Sequence, residues 1–382
     1  MRVWPKERTA FLVIHGIGEQ NPFETLDAFV RGFLKVMMEN NPGRKIAVKH
    51  YTKPRTENGK LEWVENFISL VKEDQPECPI DFYEYYWAYR MEGEITFQEL
   101  VDWLVKTSDG ARTFYNENKE IVKKYELKSG EYWYLKHLGW FLRLIAFLKI
   151  SKIPYFDFWY PFIKPFVFKG KQLFIDYMGD VAIYATTDVK SKHFNIRKSI
   201  LDESVKEVKS LIDDPRYEKI IIVGHSLGSV IAFDTLNRIT HAANIDQEKW
   251  RSVGKIEGLI TFGSPLDKIA FFFREHTPKG QYIRRQILAH FHCFKNRDLN
   301  LQKDEIEVDN PIAPLLDDVK WINFWDKKDP VSGHLDFYIV DENIELHMKD
   351  EKSGKDVKFG LAHTKYWELP EMYTKSCEYF LR

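Results

Sequence analysis

An α/β fold, a mostly parallel central sheet flanked by helices, is what this sequence predicts. Three observations point there. Short apolar β runs alternate with amphipathic helical stretches along the chain. A strand, a Gly-His-Ser-Leu-Gly turn and a helix follow one another directly between Ile220 and Leu236. The chain of 382 residues, 44% hydrophobic, can also bury a sizeable core.

Thr9 to Ile14 is an apolar run and reads as the first strand, and Phe23 to Glu39 repeats apolar residues at helical spacing. Lys45 to Tyr51 and Pro79 to Trp87 read as further strands. Phe194 to Ile212 is an amphipathic helix, stopped by Asp213-Asp214-Pro215. Ile220 to Val223 is the strand that leads into Ser226. Ile256 to Phe262 is the next, closed by Gly-Ser-Pro-Leu, and Lys320 to Trp325 another. Leu335 to Val340 and Ile344 to Met348 alternate, and read as a hairpin around Asp341-Glu342-Asn343. His290 and His292 alternate as a strand would; without a third ligand they suggest no metal site.

Residues 90–178 break this rhythm. Between Glu131 and Tyr177 aromatic side chains approach one in three, and lysine plus arginine outnumber acids. The expected organisation is a core built from residues 1–89 and 179–382, with 90–178 inserted as a mainly helical cap or lid. One reading gives that cap an aromatic core of its own. The other makes it a lid that lines an apolar acyl pocket or makes peripheral contact with a membrane surface.

Composition excludes some classes. Lysine plus arginine (56) nearly cancels aspartate plus glutamate (57), so no global field favours nucleic acid. Cys78, Cys293 and Cys377 are widely separated and odd in number, which suits a reducing compartment rather than a disulfide framework. No charged-then-apolar leader opens the sequence, and no apolar run reaches the roughly 18 residues of a membrane span. A cytoplasmic protein is expected.

The chemistry gathers around Ser226. The strand-turn-helix context is that of a nucleophile elbow, with Gly224 and Gly228 where a Cβ would crowd the turn. His225 inside the turn reads as a packing residue. A serine needs a base, a group to orient that base, and donors for the oxyanion formed on attack. His15-Gly16-Ile17-Gly18 ends the first strand, so the Ile17 N–H could face a reacting carbonyl, together with the Leu227 N–H.

His-Gly-x-Gly after an early strand, followed at a distance by Gly-His-Ser-Leu-Gly, resembles the α/β-hydrolase superfamily, especially its lipase and esterase branches. The resemblance spans nearly the whole chain, with no counterpart for the family's first two strands. It implies a triad in the order Ser, acid, His. In Trp321–Gly333 both Asp326 and Asp329 qualify as the acid. Asp329 is preferred, because Asp-Pro-Val after this strand is similar to the acid loop of many lipase-like members. Of the later histidines, His334 lies close behind Asp329 and His347 sits in an alternating segment. His363 stands between the last strand and the last helix, where the resemblance puts the base. Thr261 to Lys268 resembles a segment common in lipase-like members, which either shapes the pocket floor or is simply a turn built on Gly263 and Pro265. The expected activity is hydrolysis of a carboxylic ester with an apolar or lipid-like acyl group through an acyl-enzyme, without metal or organic cofactor. The alternatives are a non-catalytic binding protein on the same fold, or an acyltransferase using the same triad.

Overall fold

The computed structural model describes residues 4–16, 21–57, 60–90, 192–267, 281–295, 308–329, 331–349, 354, 357 and 362–382. The expected cap lies outside the described residues apart from Arg90. At the centre is β1 (Thr9–Ile14), all six of whose residues are buried. It pairs in parallel with β4 (Gln75–Tyr85) on one side and β5 (Lys219–His225) on the other. A strand covered on both faces reads as a continuous apolar run rather than an alternating one, as Phe-Leu-Val-Ile and Ile-Ile-Ile-Val do here. β6 (Ile256–Phe262), β7 (Lys320–Trp325) and β8 (Glu342–Glu345) continue the parallel sheet. On the far side β2 (Ile46–Glu57) and β3 (Lys60–Lys72) add an antiparallel edge, giving the order β2-β3-β4-β1-β5-β6-β7-β8.

The period of two along each strand sends alternate side chains into two cores. Ala10, Leu12, Ile14, Ile220 and Ile222 face α2 (Lys192–Asp213) and α3 (Leu227–Ile245). Phe11, Val13, Ile221 and Val223 face α1 (Glu24–Asn40) and α5 (Pro370–Phe380). The parallel strands all end on one edge of the sheet, so the loops after β1, β5, β6 and β7 converge there.

Three expectations are corrected. β3 has no counterpart in the sequence reading, and β2 runs well past Tyr51. An Asn-Gly pair, suited to a tight hairpin, stands between the two strands in the sequence and was the signal for them. They add an antiparallel edge to the sheet that the sequence reading did not anticipate. Second, Leu335–Val340 and Ile344–Met348 do not form a hairpin; β8 pairs in parallel with β7. Leu335 and Phe337 are buried in one core and Leu346 and Met348 in the other, so the alternation reflects two layers. The Asp341 carboxylate also accepts the Trp321 N–H at 2.7 Å, docking the chain onto β7. Third, His290 lies on a helix, α4 (Tyr282–Phe291), not a strand.

Candidate active site

β5 ends at His225 and α3 begins at Leu227, leaving Ser226 alone in the turn, buried, at φ 53° and ψ −127°. A non-glycine residue at positive φ costs about 1–3 kcal/mol and persists only where its surroundings hold it. Here the Ser226 N–H donates to the Phe262 carbonyl at 3.0 Å. The Ser226 carbonyl accepts the Ser229 N–H at 3.0 Å and the Ser229 hydroxyl at 2.5 Å. Two close approaches require glycine. A Cβ on Gly228 would stand 2.2 Å from the Ile14 carbonyl oxygen, and one on Gly16 would stand 2.6 Å from the Ser226 Cβ. The loops after β1 and β5 are thus in backbone contact at the serine.

His363, on a single 3-10 turn (Ala362–Thr364), brings its Nε2 within 3.0 Å of Ser226 Oγ. Its Nδ1 lies 2.9 Å from Asp329 Oδ2. A carboxylate can only accept, so Nδ1 carries the proton and the bare Nε2 receives the serine hydroxyl. Asp329 also accepts the Val331 N–H at 2.9 Å on Oδ1 and the Tyr366 hydroxyl at 3.0 Å on Oδ2. Burial alone would raise its carboxyl pKa, but the bonds from His363, Val331 and Tyr366 and the His363 charge outweigh it and hold the group at about 2. Asp326 is turned elsewhere. Its oxygens accept the Lys328 N–H at 2.7 Å and the Met348 N–H at 2.8 Å, closing its own turn and tying the chain after β8 to the end of β7. His334 pairs with Asp336 at 2.8 Å, and His347 is exposed. Of the candidates raised by the sequence, the structure brings together Ser226, His363 and Asp329.

Residues 164–290, about a third of the chain, match the family model for lipase (class 3). Over that stretch the chain is similar to class 3 lipases. The match covers β5, the elbow and β6, and stops short of Asp329 and His363. No curated protein and no solved structure matches the chain.

The other side of the serine is built on main chain. Leu227 opens α3, so its N–H has no acceptor within the helix and is available beside Ser226 Oγ. Ile17 and Gly18 lie outside the described residues. His15 holds the loop that leads to them. Its Nε2 accepts the Trp87 N–H at 3.0 Å, its Nδ1–H donates to the Gly16 carbonyl at 2.7 Å, and its ring stacks on Trp87 at 5.0 Å. Burial lowers the His15 pKa to about 4, so the ring is neutral and both bonds persist at physiological pH. Beyond that loop, Glu84 accepts the Phe23 N–H at 2.6 Å ahead of α1.

Three contributors escaped sequence reasoning: Tyr366, Ser332 and Trp87. Tyr366 is fully buried, and its hydroxyl sits 2.9 Å from Ser332 Oγ as well as bonding Asp329. Trp87 had been read only as the end of a strand. An aromatic in "HTKYW" or "EYYW" carries no local mark of its hydrogen-bond partner, so no sequence signal could have singled these out. Ser264, in the segment expected at the pocket floor, lies 2.7 Å from Ser229 Oγ under the elbow, and Asp267 accepts the Asp336 and Phe337 N–H groups. Both brace loops, and Lys268 is outside the described residues. Among the described residues no three His, Cys, Asp or Glu side chains gather to hold a metal ion.

Proposed function

We propose that the chain hydrolyses a carboxylic ester with an apolar, lipid-like acyl group, using Ser226 as nucleophile, His363 as general base and acid, and Asp329 to orient His363. The observation that carries this reading is the continuous relay from Ser226 Oγ through His363 to Asp329, with links of 3.0 and 2.9 Å, on a serine held at positive φ. Ser226 Oγ attacks the ester carbonyl while His363 Nε2 takes the hydroxyl proton. The carbonyl oxygen becomes an oxyanion beside the Leu227 N–H, with the Ile17 N–H as the second donor that the sequence offers. Collapse expels the alcohol, which leaves with the proton from His363, and an acyl group remains on Ser226. Water, deprotonated by the same histidine, releases the acid and restores the serine.

The family's lipase character and the aromatic density between Glu131 and Tyr177 support the lipid-like substrate and peripheral membrane contact through that insertion. The three cysteines are free, which supports a cytoplasmic protein. Fluorophosphonate labelling with parallel turnover of p-nitrophenyl esters of short and long acyl chains tests the proposal. Wild type is expected to label and to prefer the longer chain, and Ser226→Ala to do neither, with turnover down at least about 10³-fold. A folded wild type that does not label would overturn it and leave the binding-protein alternative.

A further inference from the structure

We propose that His225, the residue before the nucleophile, is a positioning residue that carries the general base: its Nε2–H holds the backbone of His363 and its ring backs the His363 imidazole. The inference rests on the triad reading above. His225 Nε2 lies 3.2 Å from the His363 carbonyl oxygen, and the two rings face each other with centroids 5.1 Å apart and planes 29° from parallel. A carbonyl only accepts, so the His225 proton is on Nε2. The other nitrogen, Nδ1, is then a bare acceptor, and it is buried with no partner among the described residues.

That orphaned nitrogen is informative. Phe262 and Trp367 pack on the same ring at 5.0 and 4.9 Å, so the site would suit a phenylalanine. A side chain that only filled this space would do better without an unpaired polar atom. What histidine adds over phenylalanine is the Nε2 donor, and that donor is spent on the residue bearing the base. His363 sits on one 3-10 turn rather than a longer element, so this bond ties its main chain to the elbow and gives nucleophile and base one frame.

The charges agree. The titratable groups facing His225 are His363, Asp329 and Tyr366 from the late loops and His15 from the loop after β1. Burial, reinforced by the neighbouring His363, holds the His225 pKa at about 3, so its ring is neutral, and burial keeps His15 neutral as well. As His363 takes the serine proton, the new imidazolium meets the Asp329 carboxylate and no second cation from these groups.

Full-length His225→Phe and His225→Gln separate the alternatives. The glutamine amide nitrogen can occupy the place of Nε2; phenylalanine keeps the ring and loses the donor. His225→Phe is expected to lose roughly 10- to 100-fold in kcat with KM within about twofold and an unchanged melting temperature. His225→Gln is expected to recover most of the kcat. His225→Leu, equally without a donor, is held to the same readouts. Donor-free variants with wild-type kcat, or a glutamine variant as impaired as the phenylalanine one, would overturn the inference. Ser226→Ala keeps the two ideas apart. If it retains turnover, the triad reading falls; if it is dead while His225→Phe is fully active, only the role of His225 falls.

Discussion

The nucleophile elbow and the acid loop are both buried, both follow a strand of the same sheet, and both supply one group to the relay. They are held in different ways. Ser226 is placed by main chain within five residues: a strand, a positive φ, a helix, and glycines where backbones touch. Asp329 is held locally by the Val331 N–H, but its Oδ2 is aimed by side chains that arrive from far along the chain, His363 and Tyr366, 34 and 37 residues away. The turn that presents the nucleophile is therefore built locally, although the Phe262 carbonyl and the loop after β1 hold it in place. The pose of the acid is a property of the closed fold.

The sharpest way to break this contrast is to exchange carboxylate for amide at the two aspartates of the acid loop. Asp329→Asn is expected to lose roughly 10⁴-fold in kcat, because an amide can offer the histidine N–H the wrong partner and the wrong tautomer follows. Asp326→Asn keeps an acceptor for one of its two backbone donors. It is expected to lose about 1–2 kcal/mol in stability and less than about tenfold in kcat. Ester turnover and urea unfolding of both variants check this. An inactive Asp326→Asn beside an active Asp329→Asn would reverse their roles.

A second test uses pH, because the two regions should fail in different windows. His15 and His225 have folded pKa values of about 4 and about 3, below the ordinary 6.5. As pH falls through 6.5 the unfolded chain binds protons that the folded chain refuses, so their contribution is lost from about pH 6.5 downward. By pH 5 this amounts to roughly 2 kcal/mol per histidine. Asp329, at about 2 against an ordinary 3.8, loses its contribution only from about pH 4 downward. Glu84, raised to about 7 mainly by burial, acts in the opposite sense as pH falls from 7, so the comparison is made between variants. Between pH 7.5 and 5, His225→Gln is expected to lose about 2 kcal/mol less than wild type in urea unfolding, while Asp329→Asn tracks wild type. Parallel curves for His225→Gln and wild type would mean that His225 is not held neutral.

The smallest expected effect belongs to Tyr366→Phe. Removing one of the donors to Asp329 should lower kcat about three- to tenfold, the worth of a single hydrogen bond to a charged group, with KM unchanged. It should also let the Asp329 pKa rise toward the ordinary 3.8, so the acid loss of stability still begins near pH 4 but is smaller than in wild type. An unchanged kcat would show that His363 and the Val331 N–H suffice to hold the acid.

What the sequence determined by itself is what neighbours along the chain decide. Thr9–Ile14, Ile256–Phe262 and Lys320–Trp325 were read at the bounds the structure has, because strands buried on both faces are predominantly apolar runs. The elbow was legible because its strand, glycines and helix lie side by side. The chain order of the candidates and the position of His363 before the last helix were legible too. Tertiary structure decided the rest. It drew β8 onto β7 where an alternating pattern suggested a hairpin, since periodicity records which residues are buried and not against which layer. It turned Asp326 toward Met348 and Asp329 toward His363, although the two stand three residues apart in one loop and satisfy the same local pattern. It also brought Tyr366 to Asp329 and His225 beneath His363. A hydrogen-bond partner many residues away leaves no mark on local propensity, and only closing the chain creates it.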